Sequence, residues 1–460
     1  MAMKNGGRSQ AATSDSQAFV EVEGFKSIAT AQRVYLGKVA VLAGANSSGK
    51  SSLMQPLLLL KQTLECSYDP GVIKLDGPNV VFDAGSDIFR TDSRPANRRF
   101  RVRAQTSSGL WSEVEYKLVE SGGFEIVRMS GRCPTLLRQK REKSVDFELH
   151  RNTSVDRVRD LYYRLIPARV PLEYRQKRFF LCPERCFWGI TPGAEGSEQR
   201  RLGPGASLAA ILGFALRRLA LRTLHLPGLR GNPLREYPVS GVASGYPGVF
   251  STYTATVINE WRREMKTEQL LAITNALQRL GLTHAIKTER IGDTRVRLLV
   301  ARLPRPCGEL DVDYVSIADV GVGVSQVLPL LVALAAAESG SFIFVEQPEI
   351  HLHPRAQTVL CELMLEAAER GVNVIVETHS SLIVQGFQTL VAQGRLSQDD
   401  LKLHWCTRDP KTGETTVRLA ELDDTGAFGD WPEDFSDTQL AAEGAYLDAA
   451  MKRKLARAKK

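Results

Sequence analysis

An α/β fold organised around a phosphate-binding loop is what this sequence predicts, and three observations carry the prediction. The first is a β-branched apolar run, Lys38-Val-Ala-Val-Leu-Ala, that leads without a break into Gly44-Ala-Asn-Ser-Ser-Gly-Lys-Ser51 and an apolar segment over residues 52–64. Strand, glycine-rich loop and helix follow in the order a P-loop needs. The second is a pair of later apolar strands with polar tips, Ser341-Phe-Ile-Phe-Val-Glu346 and Gly371-Val-Asn-Val-Ile-Val-Glu-Thr-His379; parallel strands deliver such tips to one sheet edge, where ligands sit. The third is a set of alternating apolar and polar runs between these parts, which reads as an antiparallel sheet.

Taken in order, residues 1–17 are polar and read as a disordered leader. Residues 18–28 alternate and 31–36 resume the pattern, giving two strands ahead of the phosphate-loop strand. Within the loop, Gly44 and Gly49 let the backbone turn tightly, while the successive N–H groups through Asn46, Ser47, Ser48 and Gly49 and the helix start at Ser51 and Ser52 supply positive dipole. Lys50 adds a point charge and Ser51 a hydroxyl for Mg²⁺. Pro56 lacks the N–H that would bond back to Ser52, so a kink is expected there. Arg99-Phe-Arg-Val-Arg-Ala, Trp111-Ser-Glu-Val-Glu-Tyr-Lys-Leu and Gly123-Phe-Glu-Ile-Val-Arg-Met are the alternating runs.

Residues 132–207 mix charge with scattered aromatics and give no clear pattern. Helical spacing returns over 208–224 and 252–280, separated by the turn-rich Leu226-Pro-Gly-Leu-Arg-Gly-Asn-Pro, whose Arg230 is a candidate functional residue. A strand pair is expected over 289–302. Val320-Gly-Val-Gly-Val-Ser-Gln326 then opens an apolar helix, and glycines with a serine at a helix start make an anion-binding end. The domain reading is an ATPase core at 18–90 and 310–400, an inserted β and helical lobe at 91–309, a C-terminal extension at 401–445 and a basic tail at 446–460.

The composition, 43% hydrophobic and 24% charged, is that of an ordinary globular chain. The longest apolar run, residues 327–337, is too short to span a bilayer, and the first 17 residues lack the apolar centre of a signal peptide, so a cytoplasmic protein is expected. Seven cysteines at irregular spacing do not form a disulfide framework. Cys182 and Cys186, with Cys133 and His150 as remote candidates, lack the paired spacing of structural zinc and read as small core residues. The net charge of +8 is concentrated: residues 94–200 carry 22 Lys and Arg against 13 Asp and Glu. A polyanion-binding insertion has that composition. So does a solvated arginine-rich surface.

The ordered set of motifs resembles the ABC-type ATPase heads of the AAA branch that includes RecF, SMC proteins, the OLD nucleases and the ATPase subunits of several antiphage systems. Asp319-Val-Gly-Val-Gly-Val-Ser-Gln-Val-Leu-Pro, Glu346-Gln-Pro-Glu-Ile-His-Leu-His-Pro and a segment with Asp430-Trp-Pro-Glu look like a bacterial subgroup of such ATPases. The resemblance covers residues 18–90 and 310–390. It implies ATP and Mg²⁺ as ligands, Glu346 as the Walker B acid that joins Ser51 on the metal, Gly321, Gly323, Ser325 and Gln326 in the signature motif, His353 near the D-loop and His379 as the switch histidine. It also implies a head-to-head homodimer or higher homo-oligomer closed on ATP, since the signature contacts a second subunit's nucleotide.

One position departs from the wider pattern: Gln347 stands where most such heads carry a Glu. A neutral amide orients water but takes no proton. Either Glu349 or Glu346 is the base, or turnover is slow; slow turnover is the expectation. The function expected is thus an ATP switch that senses nucleic acid or gates a separate effector such as a nuclease or toxin, with DNA as a candidate partner and no membrane. The alternative is a scaffold that holds ATP as an unhydrolysed clip.

Overall fold

The computed structural model describes residues 17–90, 98–120, 122–135, 144–166, 178–193, 208–239, 245–303 and 312–429. Asp430-Trp-Pro-Glu and the basic tail therefore lie outside the described residues. The chain divides into two compact units, one of Met1–Leu36, Ser51–His225 and Ser244–Val249, the other of Gly37–Lys50, Leu226–Ala243 and Phe250–Lys460.

The first unit is built on an antiparallel sheet. Its strands are β1 (Ala18–Glu23), β2 (Gln32–Leu36), β4 (Arg99–Gln105), β5 (Trp111–Leu118), β6 (Phe124–Pro134) and β7 (Ser144–His150), in the order β2-β1-β4-β5-β6-β7. Alternation sorts the side chains: Val20, Val22, Phe100, Val102, Val114 and Tyr116 are buried, while charges occupy the other face. On that face register sets acid against base, with Glu23 opposite Arg101 and Arg103 opposite Glu113. Helix α1 (Lys50–Glu65) runs through Pro56 as a continuous helix, so the proline does not end it. Helix α2 (Val155–Leu165) and the hairpin β8 (Arg178–Glu184) and β9 (Phe187–Gly193) fall in the stretch the sequence left unread. The 208–224 periodicity resolves into α3 (Ala209–Leu212) and α4 (Phe214–Leu221), parted at Gly213, and then β10 (Thr223–Leu226).

The second unit holds the parallel strands. β3 (Val39–Ala43) lies between β16 (Asn373–Thr378) and β17 (Leu401–Arg408); β15 (Phe342–Glu346) pairs with β16, and β18 (Thr415–Ala420) closes the edge antiparallel to β17. Every residue of β3 is buried, as a strand covered on both faces requires. A smaller sheet joins β11 (Tyr237–Pro238), β12 (Ile286–Ile291), β13 (Arg295–Ala301) and β14 (Tyr314–Ser316). The expected helix over 252–280 is two helices, α5 (Thr254–Arg263) and α6 (Thr267–Arg279), broken where Met265 takes a positive φ of 52°. The apolar α7 (Val322–Ala336) is buried along most of its length, and α8 (Pro354–Glu369) packs against α9 (Ser381–Ala392). No helix among the described residues is long and apolar enough to cross a membrane.

Candidate functional site

Register brings three strand ends to one edge. In the parallel sheet Glu346 pairs with Glu377, and Glu377 with Leu42, so the residues after β3, β15 and β16 leave the sheet side by side. The P-loop, the Glu346 to Glu349 turn and His379 occupy that edge.

The loop has the backbone a phosphate cradle needs. Gly44, Ser47 and Gly49 have φ of 155°, 61° and 90°, which turns successive N–H groups to one side. A Cβ on Gly44 would lie 2.3 Å from the Cys406 carbonyl oxygen, so only glycine fits. Strands β17 and β18 brace the loop from outside: Thr415 Oγ1 donates to Ser48 O at 2.9 Å and Arg408 Nη1 to Ser47 O at 3.4 Å. These braces come from residues that the sequence reading placed in a C-terminal extension.

Lys50 is buried, at 3% exposed. Its ammonium donates to Gly44 O at 3.0 Å, Ala45 O at 2.7 Å and Ser48 Oγ at 3.3 Å. Burial pulls it below the usual lysine range, against the attraction of Glu377. His379 Nδ1 lies 2.9 Å from Gly44 O and 3.3 Å from Lys50 Nζ. A carbonyl only accepts, so Nδ1 carries the proton and Nε2 is the acceptor. The lysine is then a neighbouring cation rather than a donor to the ring; burial and that cation hold His379 below its ordinary range.

The turn after β15 is held in an unusual backbone. Gln347 has φ of 45°, and its N–H donates to Glu377 O at 2.7 Å. Glu349 Oε1 accepts from Thr378 Oγ1 at 2.8 Å and from the His379 N–H at 2.9 Å, while Oε2 is buried with no protein partner. An oriented carboxylate with one orphaned oxygen fits a site that takes water or a metal-bound ligand. Among the described residues no group of three or more His, Cys, Asp and Glu would hold a metal by itself.

Loop 227–235 reaches the same turn. The Gly228 N–H donates to Glu346 Oε2 at 3.1 Å, and a Cβ on Gly228 would lie 3.2 Å from Gln347 Oε1. Arg230 donates through Nη2 to Glu346 O and through Nη1 to Gln326 O, both at 2.9 Å. Burial lowers its guanidinium to about 10, against the pull of Glu349 and Glu346. Gly228 carried no sequence signal beyond that of a turn.

The residues expected to form a signature motif lie at the start of α7. Gly321 is the exposed N-cap, Ser325 Oγ donates to Val322 O at 2.9 Å, and Gly323 lies so that a Cβ would meet His351 O at 3.2 Å. Gln326 is different: it is buried and its Nε2 donates to Gly231 O at 2.8 Å. His353 caps α8, its Nδ1 accepting from the Arg355 N–H. Cys133, Cys182 and Cys186 are free thiols. Burial pushes Cys133 and Cys186 up to about 12 and raises Cys182. Three arginines of the first unit's sheet are paired with carboxylates: Arg99 with Glu115, Arg101 with Glu23 and Glu113, Arg128 with Glu113 and Glu148.

A family model described as AAA ATPase domain (AAA_15) matches residues 253–384, the stretch that holds α7, Glu346, Glu349 and His379. No curated protein sequence matches this chain. Among solved structures it is similar to the SMC head domain from Thermotoga maritima, at 11% identity and a TM-score of 0.39 over 88% of this chain and 99% of that one. It is also similar to an Smc head bound to the C-terminal winged-helix domain of ScpA (12%, TM-score 0.45, 88% and 98%). A third is the Smc head with an extended coiled coil, bound to the C-terminal domain of ScpA derived from Pyrococcus furiosus (11%, 0.43, 88% and 96%). The match over residues 253–384 agrees with the resemblance to ABC-type heads.

Proposed function

We propose that this chain is an ATP-dependent switch: it binds ATP with Mg²⁺ at the P-loop, hydrolyses it slowly and closes into a homodimer around the nucleotide. The observation that carries the reading is the convergence of the P-loop, Glu346, Glu349 and His379 on one edge of a parallel sheet. Loop N–H groups and the Lys50 ammonium bind the phosphate chain. Glu346 and the Ser51 hydroxyl would hold Mg²⁺, which would supply positive charge for the phosphates. His379, neutral at physiological pH and held by Gly44 O, presents Nε2 as an acceptor toward water or a partner's donor. Gln347 orients water without taking its proton, so the closed state is long-lived.

A specific observation favours a second account of the base. Glu349 is fixed by two donors and keeps an orphaned oxygen, the arrangement of a carboxylate that receives a proton. In either account Gly321, Gly323 and Ser325 complete the site of the second copy. The closed dimer gates a separate effector or reports on nucleic acid, in the manner of ATPase subunits of antiphage systems. Light scattering tests the switch: ATP with Mg²⁺ doubles the particle mass, and Ser325→Arg prevents it. Equal mass with and without nucleotide sinks the composite site.

A further inference from the structure

We propose that loop 227–235 is a strap coupling Glu346 to the start of α7, with Arg230 as its positioning residue. This rests on the reading of Glu346 as part of an ATP site and assigns that site a coupling element. The strap is tied through four of its residues. Gly228 N–H holds Glu346 Oε2, and the Arg230 fork joins the Glu346 carbonyl to the Gln326 carbonyl. The Gln326 side chain returns a bond to Gly231 O. Arg235 then pairs with both oxygens of Asp319, at 2.7 and 3.0 Å, two residues before the α7 cap.

A stability role alone accounts poorly for this arrangement. The Arg230 guanidinium is buried against two neutral carbonyls, with Nε lacking any partner. Burying a cation without a directly bonded carboxylate is costly, and an apolar side chain would fill the space at less expense. What an apolar residue or a lysine cannot do is reach two carbonyls on separate elements with one planar fork. One of those carbonyls ends β15, beside the catalytic turn. The other lies in the first turns of α7, whose exposed tip carries Gly321 and Ser325. Movement of that tip when a second copy's nucleotide docks is thus passed to the Glu346 carboxylate. Loss of a residue that orients a metal-ligating carboxylate costs about 10–100-fold in activity.

The test uses the full-length chain with Arg230→Ala and Arg230→Lys, each checked by thermal melting, and reads three quantities: the Kd for a fluorescent ATP analogue, KM and kcat. The strap predicts that Kd and KM stay within about twofold while kcat falls about 10–100-fold in both variants. Guanidinium ion added to Arg230→Ala restores part of kcat. A kcat within twofold of wild type in both variants overturns the role. So does a loss of kcat matched by an equal loss of nucleotide affinity, with no response to guanidinium, because that pattern belongs to a packing residue. Wild-type protein that binds no ATP at all overturns the nucleotide reading instead, and the strap with it.

Discussion

Exchanging acid and amide at positions 347 and 349 separates the two accounts of hydrolysis. Glu349→Gln keeps the side chain's size and its acceptor oxygen, so the bonds from Thr378 Oγ1 and the His379 N–H at 2.8 and 2.9 Å survive. What it removes is the capacity to take a proton at the buried Oε2. A well-placed general base contributes about 10²–10⁴-fold, equivalent to roughly 3–5 kcal/mol of barrier. If Glu349 is the base, Glu349→Gln lowers kcat by that factor and leaves nucleotide affinity alone. Gln347→Glu is then neutral or harmful, since a second carboxylate is set beside Glu346. If the site lacks a base, wild-type turnover lies well below the typical value of about 10 per second, Glu349→Gln changes little, and Gln347→Glu accelerates. Steady-state phosphate release at saturating ATP distinguishes the two. A fast wild type indifferent to both exchanges refutes the assignment of this turn to catalysis.

Three further outcomes follow from particular contacts. Gly44→Ala abolishes ATP binding without unfolding the chain, because the new Cβ would lie 2.3 Å from Cys406 O and the loop must shift; unchanged affinity by titration contradicts the cradle. His404 is wholly buried and its imidazole is held at about 4 by burial, below the unfolded value of 6.5. The unfolded chain therefore takes up a proton first as pH falls, and stability drops by about 3 kcal/mol between about pH 6.5 and 4; urea melts at several pH values show this slope, and His404→Leu removes it. Duplex DNA, if bound, dissociates steeply with salt, and no gel shift at low salt removes DNA as a partner.

Charge reversal is a poor probe of that last point, and the reason shows where composition stops being informative. The arginine surplus over 94–200 fits a polyanion-binding insertion and a solvated surface alike, and within it Arg99 and Arg101 face carboxylates across the sheet. A count of charges cannot see register. The P-loop and the two strand tips were legible because each is a local pattern: a glycine spacing, an apolar run, a polar end. Strands β17 and β18 were not, since nothing local says which sheet a strand joins, and the pairing of Leu403 with Val41 spans more than 350 residues. Gly228 read as a plain turn for the same reason: its N–H gains meaning only from a carboxylate 118 residues away. The break at Met265 escaped notice because no glycine or proline marks it.

Nucleotide binding at the P-loop is the premise of everything else, and calorimetric titration of ATP with Mg²⁺ into wild type and Lys50→Ala tests it most directly. Because Lys50 is 3% exposed and bonded to the loop, the variant's melting curve is recorded alongside. The account predicts one ATP per chain in the wild type, and in a folded variant a loss of about 10–100-fold, the worth of one charged hydrogen-bonding group. A folded Lys50→Ala that binds ATP within about threefold of wild type would contradict it.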